Sequence, residues 1–291
     1  MDLGGDLRKE KIPRAVMAIP GESVIVLIIG CGSIGTVIAK AASRMDDVES
    51  ILLYDIDNTR AEQLAASLKN SEILGIMDFK TTEADLAIEA AGQKAAKDLV
   101  PSALENGVDT MIMSVGAFAD KGFQDRCYSA VLKFDSIVMI PSGAVAGVDA
   151  LKGAGRAKLD VVKLTSTKPP KGLTGVRYLQ EKGVKVEDIR ERTALYSGPA
   201  SQAVQYFPAN VNVAATVSLA GIGFERTQVE VVCDPLATVN SHHLFAKGDF
   251  GELEATTRNL PSPDNPRTSY LASLSAVSTL KEYINRVWIG V

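Results

Sequence analysis

The sequence predicts an α/β protein, a doubly wound parallel sheet followed by a second unit of α+β type. Three observations carry that expectation. Between residues 24 and 142, five short apolar runs alternate with helix-patterned stretches, the rhythm of βαβ units around a sheet buried on both faces. Beyond residue 143 the rhythm breaks, and residues 227–259 hold three stretches of period-two patterning joined by short turns, an antiparallel signature. At 291 residues the chain also exceeds the usual size of a single domain.

In chain order, residues 1–22 mix charges of both signs and lack an apolar stretch of signal-peptide length, so they are read as an N-terminal extension. The five runs that follow are VIVLII (24–29), SILLYD (50–55), LAIEAA (86–91), TMIMSV (110–115) and SIVMIP (136–141). Helices are expected between them near 33–45, 58–69, 93–105 and 119–133, completing a dinucleotide-binding domain over 23–142. The second domain, 143–265, opens with a helix-like stretch at 144–158 and a strand at 159–170 that ends in prolines. A polar loop is expected at 171–193, then two helices separated by Pro208, then strands at 227–234, 240–247 and 252–259. The tail from 266 to 291 carries apolar residues at three- and four-residue steps after Asp-Asn-Pro, an amphipathic helix whose docking partner periodicity does not reveal.

Composition narrows the function. A net charge of −4 argues against a nucleic-acid binder, which would carry a basic patch. No apolar run reaches the length of a membrane-spanning helix. Three cysteines at wide spacing, Cys31, Cys127 and Cys233, form neither a disulfide framework nor a zinc motif, and a cytoplasmic protein without a metal is expected.

The most informative stretch is IVLIIGCGSIG (25–35). Gly30, Gly32 and Gly35 form GxGxxG directly after a strand and at the opening of a helix, the dinucleotide fingerprint of the Rossmann fold. Gly30 permits the tight turn, Gly32 lets a pyrophosphate approach the backbone, and Gly35 lets the helix pack on its strand. Ser33 and Ile34, inside the fingerprint, belong to a helix start whose free N–H groups receive phosphate charge. Asp55 follows at the end of the second strand, placed for the ribose hydroxyls; it favours NAD over NADP, with Arg60 nearby to soften that preference. Glycines in EAAGQ (89–93) and SVGAF (114–118) lie where strands stop, facing the cofactor or serving as turns.

Both histidines of the chain stand side by side in NSHHLFAK. In an extended strand they point to opposite faces, so they do not share a metal; His242 shares a face with Asn240 and Leu244, His243 with Ser241 and Phe245. Either suits proton transfer near neutral pH, and the pattern alone does not choose between them.

Several stretches together resemble the L-aspartate dehydrogenases, NAD(P)-dependent enzymes that interconvert L-aspartate and oxaloacetate through iminoaspartate. The carriers are IGCGSIG, EAAGQKA, SVGAFAD, IPSGAVAGVDAL, TSTKPP, YFPANVNVAATVSLAGIG, NSHHLFAKGDFGELE and NPRTSYLASLS, spread over residues 24 to 287. The resemblance implies that His242 is the catalytic histidine and that Ala144 and Asn212 contact the cofactor. It implies a last helix that returns to the nucleotide domain, a homodimer, and a place in NAD biosynthesis. Two substrate carboxylates then need donors, for which Lys168 is the candidate with Ser166 and Thr167 beside it; Asn240 would orient imidazole or substrate, and a helix start near Asn210 is a further anion site. The competing expectations are a homoserine dehydrogenase or dihydrodipicolinate reductase on the same architecture, or a non-catalytic NAD-sensing regulator.

Overall fold

The computed structural model describes residues 23–208, 212–262 and 265–290. The N-terminal extension and Asn210 therefore lie outside the described residues. The first sheet contains β1 (Val24–Ile29), β2 (Val48–Tyr54), β3 (Ser71–Ile73), β4 (Leu86–Glu89), β5 (Asp109–Ile112) and β6 (Val138–Met139), all parallel, in the order β3-β2-β1-β4-β5-β6. Helices α1 (Ser33–Ala42), α2 (Asn58–Ala65), α3 (Gln93–Glu105) and α4 (Lys121–Phe134) connect the strands. Within β1, Val26 and Ile28 enter one apolar cluster while Leu27 and Ile29 enter another. Both faces of the strand are thus buried, as a run without polar alternation requires. Strand order reverses between β1 and β4, and ligands of open α/β sheets bind at that switch point, beyond the carboxyl ends of the strands.

The chain then crosses into a second sheet. Helix α5 (Val148–Ala154) leads to β7 (Leu159–Lys168), α6 (Arg177–Glu181), β8 (Thr193–Pro199), α7 (Ala200–Tyr206), α8 (Asn212–Ala220), β9 (Gln228–Cys233), β10 (Asn240–Gly248) and β11 (Gly251–Asn259). One face packs Val162, Leu164, Val229, Val231, Leu244 and Ala246 against Leu151, Ala214 and Val217 of the helices. Along β10 the side chains alternate between buried and half-exposed, with Asn240, His242, Leu244 and Ala246 on the buried side. The opposite face carries ion pairs such as Lys163–Glu230 and His243–Glu254.

The observed order, β11-β10-β7-β9-β8, corrects one expectation. Strands β10 and β11 form the expected hairpin, but β7 lies between β10 and β9, and β9 runs parallel to β7. Residues 234–239 form a link long enough to step over one strand, so succession in sequence does not make β9 and β10 neighbours. Strand β8 was not expected at all; it is an edge strand ending at Pro199, where a missing N–H donor is tolerated. The helix expected over 144–158 is confined to Val148–Ala154 because Gly143 and Gly147 before it hold left-handed φ values of 70° and 81°.

After β12 (Pro261–Ser262) and β13 (Asn265–Ser269), α9 (Tyr270–Asn285) returns to the first sheet. Its Ala276 and Leu280 join the cluster of Ile38 and Ile28, and Tyr283 donates a hydrogen bond of 2.8 Å to Asp109 at the start of β5.

Candidate active site

Each fingerprint glycine has a separate steric reason. Gly30 has φ +98°, and a Cβ there would come within 2.7 Å of the Ala91 backbone at the end of β4. A Cβ on Gly35 would lie 1.9 Å from the Gly30 carbonyl oxygen, so helix and turn meet only through glycine. Above Gly32 there is open space to 4 Å, and as the N-cap of α1 it offers no side chain to the free N–H groups of the first turn. Such a cradle could hold a pyrophosphate. Asp55 buttresses it: one carboxylate oxygen accepts the Cys31 N–H at 2.7 Å and the other the Asp57 N–H at 2.9 Å. Burial, aided by Asp55, pushes the Cys31 thiol up to about 11, so it stays protonated at neutral pH. Ser33 Oγ lies 3.1 Å from Ser262 Oγ on the returning chain, so its hydroxyl already has a protein partner. A hollow of about 520 Å³ beside the loop is lined by Gly32, Ser33, Lys40 and Arg60 among others, with Arg60 paired to Asp57 at 3.3 Å.

The other side of α1 faces a narrower cavity of about 110 Å³, lined by Ile34, Gly143, Ala144, Lys168, Asn212, His242 and Ser269 among others. Four of the residues singled out in the sequence (Lys168, Asn212, His242 and Ala144) therefore converge there with Ile34 of the fingerprint. Strand register explains the convergence. His242 pairs with Ser166 on β7 and with Thr257 on β11, and Asn240 pairs with Asn259. With period-two alternation, Ser166 and Lys168, Asn240 and His242, and Thr257 and Asn259 share one sheet face. Further along β10 this face is apolar, with Leu244 and Ala246 in the core. Its last two rows are polar, and there it meets the cavity.

His242 is 3% exposed and its Nδ1 lies 3.0 Å from Ser166 Oγ, leaving Nε2 without a protein partner among the described residues. Burial, helped by the neighbouring Lys168 charge, lowers its pKa to about 3, so the imidazole is neutral near pH 7. Lys168 is 4% exposed, has no acidic partner among the described residues, and burial lowers its pKa to about 8. A buried ammonium aimed into a cavity without a counter-ion is a receptor for an anion. Ser166 is engaged by His242, and alternation turns Thr167 to the opposite face, so neither has the position expected of a carboxylate donor. Asn240, 4% exposed, donates to Ser269 Oγ at 3.4 Å, and among the described residues no hydrogen bond joins it to the imidazole. His243 faces away, hydrogen-bonded to Thr256 at 2.8 Å and paired with Glu254 at 3.2 Å.

On the cofactor side, Asn212 Oδ1 accepts the Gly116 N–H at 3.2 Å, which leaves the Asn212 amide N–H groups as donors. Glu89 at the end of β4 escaped the sequence reading. It is fully buried and accepts from the Ala91, Gly92 and Ser114 N–H groups and the Ser114 hydroxyl, holding together both glycine-bearing strand ends. Burial raises its pKa while those donors pull it down. A carboxylate at the end of a strand, followed by Gly three residues on, was the available signal. Among the described residues no group of His, Cys, Asp and Glu could hold a metal ion, and no helix is long and apolar enough to cross a membrane.

Comparison with known proteins gives this geometry a context. Residues 149–283 match the family model described as aspartate dehydrogenase, C-terminal, and residues 30–141 match that of the homoserine dehydrogenase NAD-binding domain. An L-aspartate dehydrogenase of Methanosarcina acetivorans is 46% identical over 265 residues, covering 90% of this chain and 98% of that protein. One from Nitrosopumilus maritimus is 40% identical, covering 89% and 96%. The crystal structure of an aspartate dehydrogenase from Thermotoga maritima superposes with a TM-score of 0.71 at 28% identity, covering 89% of this chain and 96% of that one.

Proposed function

The chain belongs to the L-aspartate dehydrogenase family, and from that premise we propose that it catalyses the NAD-dependent oxidative deamination of L-aspartate through iminoaspartate to oxaloacetate and ammonia, or the reverse. The observation that carries the reading is the cavity in which a buried ammonium, Lys168, without an acidic partner among the described residues, sits beside a buried imidazole, His242, next to the fingerprint helix. Full-length relatives named L-aspartate dehydrogenase disfavour a homoserine dehydrogenase, whose family model matches residues 30–141 alone while residues 149–283 match the aspartate dehydrogenase model.

The fingerprint glycines, Ser33, Ile34, Asp55, Ala144 and Asn212 would hold the dinucleotide. When bound, its nicotinamide ring supplies the hydride acceptor. Lys168 binds one substrate carboxylate and so orients Cα in the cavity. His242 takes a proton at Nε2 from the substrate ammonium so that the nitrogen lone pair can form C=N, and releases it to solvent. It then takes a proton from the water that adds to the imine and passes it to the nitrogen that leaves as ammonia. For Nε2 to be the acceptor, Nδ1 carries the hydrogen and donates it to Ser166 Oγ. Burial is the larger cause of the weak basicity of His242 and the Lys168 charge the smaller; a carboxylate on Lys168 would offset the smaller one when substrate arrives. Asp55, held at both oxygens, has no freedom to swing away from a 2′-phosphate, which supports NAD over NADP. The domain division we propose is a nucleotide domain over 23–142 completed by the C-terminal helix, and a substrate and dimerisation domain over 143–265, in a cytoplasmic homodimer that feeds NAD biosynthesis.

The test is NADH formation with L-aspartate, homoserine and other small amino acids as substrates. Aspartate alone should support turnover, and His242→Ala should lower kcat by about a hundredfold or more with NADH binding kept. Full activity in His242→Ala, or turnover of homoserine in place of aspartate, overturns the reading.

A further inference from the structure

The turn that joins the two sheets, residues 140–147, has an unusual set of restraints. The Ala144 carbonyl accepts two hydrogen bonds, from Thr257 Oγ1 at 2.7 Å and from Asn259 Nδ2 at 2.9 Å. Asn259 Nδ2 also reaches Thr257 Oγ1 at 3.1 Å, so the two side chains brace each other. The neighbouring Gly143 N–H donates to Ser275 Oγ of α9 at 3.1 Å, and Gly143 itself needs its φ of +70°. Ala144 is 3% exposed and Asn259 4%, so these bonds are shielded from water. A carbonyl oxygen has two lone pairs, and both are used here. Whatever Ala144 offers a ligand in the cavity it lines, it is not its carbonyl. Its N–H, by contrast, has no partner among the described residues.

Strand β11 thus does two things at one place. Thr257 is the register partner of His242, and Asn259 that of Asn240, while both side chains bond the Ala144 carbonyl of the turn. We propose that Thr257 and Asn259 are positioning residues for the nicotinamide end of the cofactor: by saturating the Ala144 carbonyl they fix the 143–144 turn with its free N–H toward the cavity, at a set distance from His242. The idea rests on the reading that the 143–144 turn meets the nicotinamide half of a bound dinucleotide. It adds two residues to the cofactor site that touch neither cofactor nor substrate. The pyrophosphate and adenosine half, held by the fingerprint, is independent of them.

That asymmetry supplies the experiment. Dissociation constants for NADH and for ADP-ribose, which lacks the nicotinamide, are measured for the full chain and for Thr257→Val, Asn259→Ala and Thr257→Ser. Thr257→Val and Asn259→Ala should weaken NADH by about tenfold, the loss of one well-placed hydrogen bond, with ADP-ribose unchanged within about twofold. Thr257→Ser, which keeps the hydroxyl, should restore NADH affinity. A purely structural role would lower melting temperature and weaken both ligands together, or neither, and either result overturns the proposal. If the unaltered protein binds neither ligand, the cofactor reading falls and the proposal with it. If it binds both and oxidises aspartate while the variants keep their NADH affinity, the proposal alone falls.

Discussion

The two sides of the cleft are built by opposite strategies. The fingerprint side is local: Gly30, Gly32 and Gly35 lie within six residues, and each acts through the backbone space it leaves open. The histidine side is distributed: Ser166, Lys168, Asn240, His242, Thr257 and Asn259 come from three strands and meet only through register. A local site tolerates few substitutions because its atoms touch the main chain. A distributed site divides the work among side chains that can be removed one at a time. The two should therefore fail differently under mutation.

The largest effect is expected on the local side. Gly35→Ala puts a methyl group 1.9 Å from a backbone oxygen that has no room to retreat between β1 and α1. NADH and ADP-ribose should both lose affinity by about a hundredfold or more, a cost of about 3 kcal/mol or above for backbone strain and overpacking. Isothermal titration with both ligands checks it, and near-normal ADP-ribose binding would dissolve the contrast between the two sides.

On the distributed side, Lys168→Met removes the charge and keeps the length. Losing a charge-assisted hydrogen bond should weaken aspartate, and succinate as a competitor without an amine, by roughly ten- to a hundredfold, with NADH affinity little changed. The pH dependence has a definite sign. Burial lowers the Lys168 pKa to about 8, so its ammonium is lost as pH rises through that value. Succinate should bind well below pH 8 and progressively less above it, and in Lys168→Met the curve should be flat. Succinate affinity unchanged across pH 7 to 10 in the unaltered protein would remove Lys168 from the site.

These expectations also mark what the sequence made legible. The fingerprint could be read because its chemistry is contiguous, and alternation in β10 correctly separated the faces of His242 and His243. The insertion of β7 between β10 and β9 could not be read, because nothing in residues 234–239 says that the link skips a strand. That one fact of topology makes Ser166 the partner of His242. Without it Ser166 looked like a carboxylate donor and Thr167 its equal, whereas pairing sets Ser166 against His242 and alternation along β7 turns Thr167 to the other face. Thr257 and Asn259 stayed invisible although their hairpin was expected: a threonine and an asparagine in an exposed-looking strand acquire meaning only from exact register with His242 and from the distant Ala144 carbonyl they bond.

Smaller effects test that division of labour. Ser166→Ala leaves Nδ1 without its partner and frees the ring to change tautomer; kcat should fall by about tenfold, the worth of one buried hydrogen bond, and Ser166→Thr should recover most of it. Nitrogen-15 shifts of the imidazole distinguish a positioning role from a structural one, because only the former predicts a mixture of tautomers in Ser166→Ala.

His243→Ala provides the lower bound. It lies one residue from the proposed base, yet its contacts, Thr256 and Glu254, are on the far face of the sheet, and its side chain is 36% exposed. A partly exposed pair of this kind is worth about 0–1 kcal/mol of stability. The variant should melt within a few degrees of the unaltered protein and keep kcat and KM within about twofold, since its partners Thr256 and Glu254 lie on the face opposite His242. Adjacent histidines with effects differing by about two orders of magnitude would be the direct signature of strand alternation acting on proton transfer. Equal losses at both positions would mean that the sheet face, and with it the assignment of His242, has been read the wrong way round.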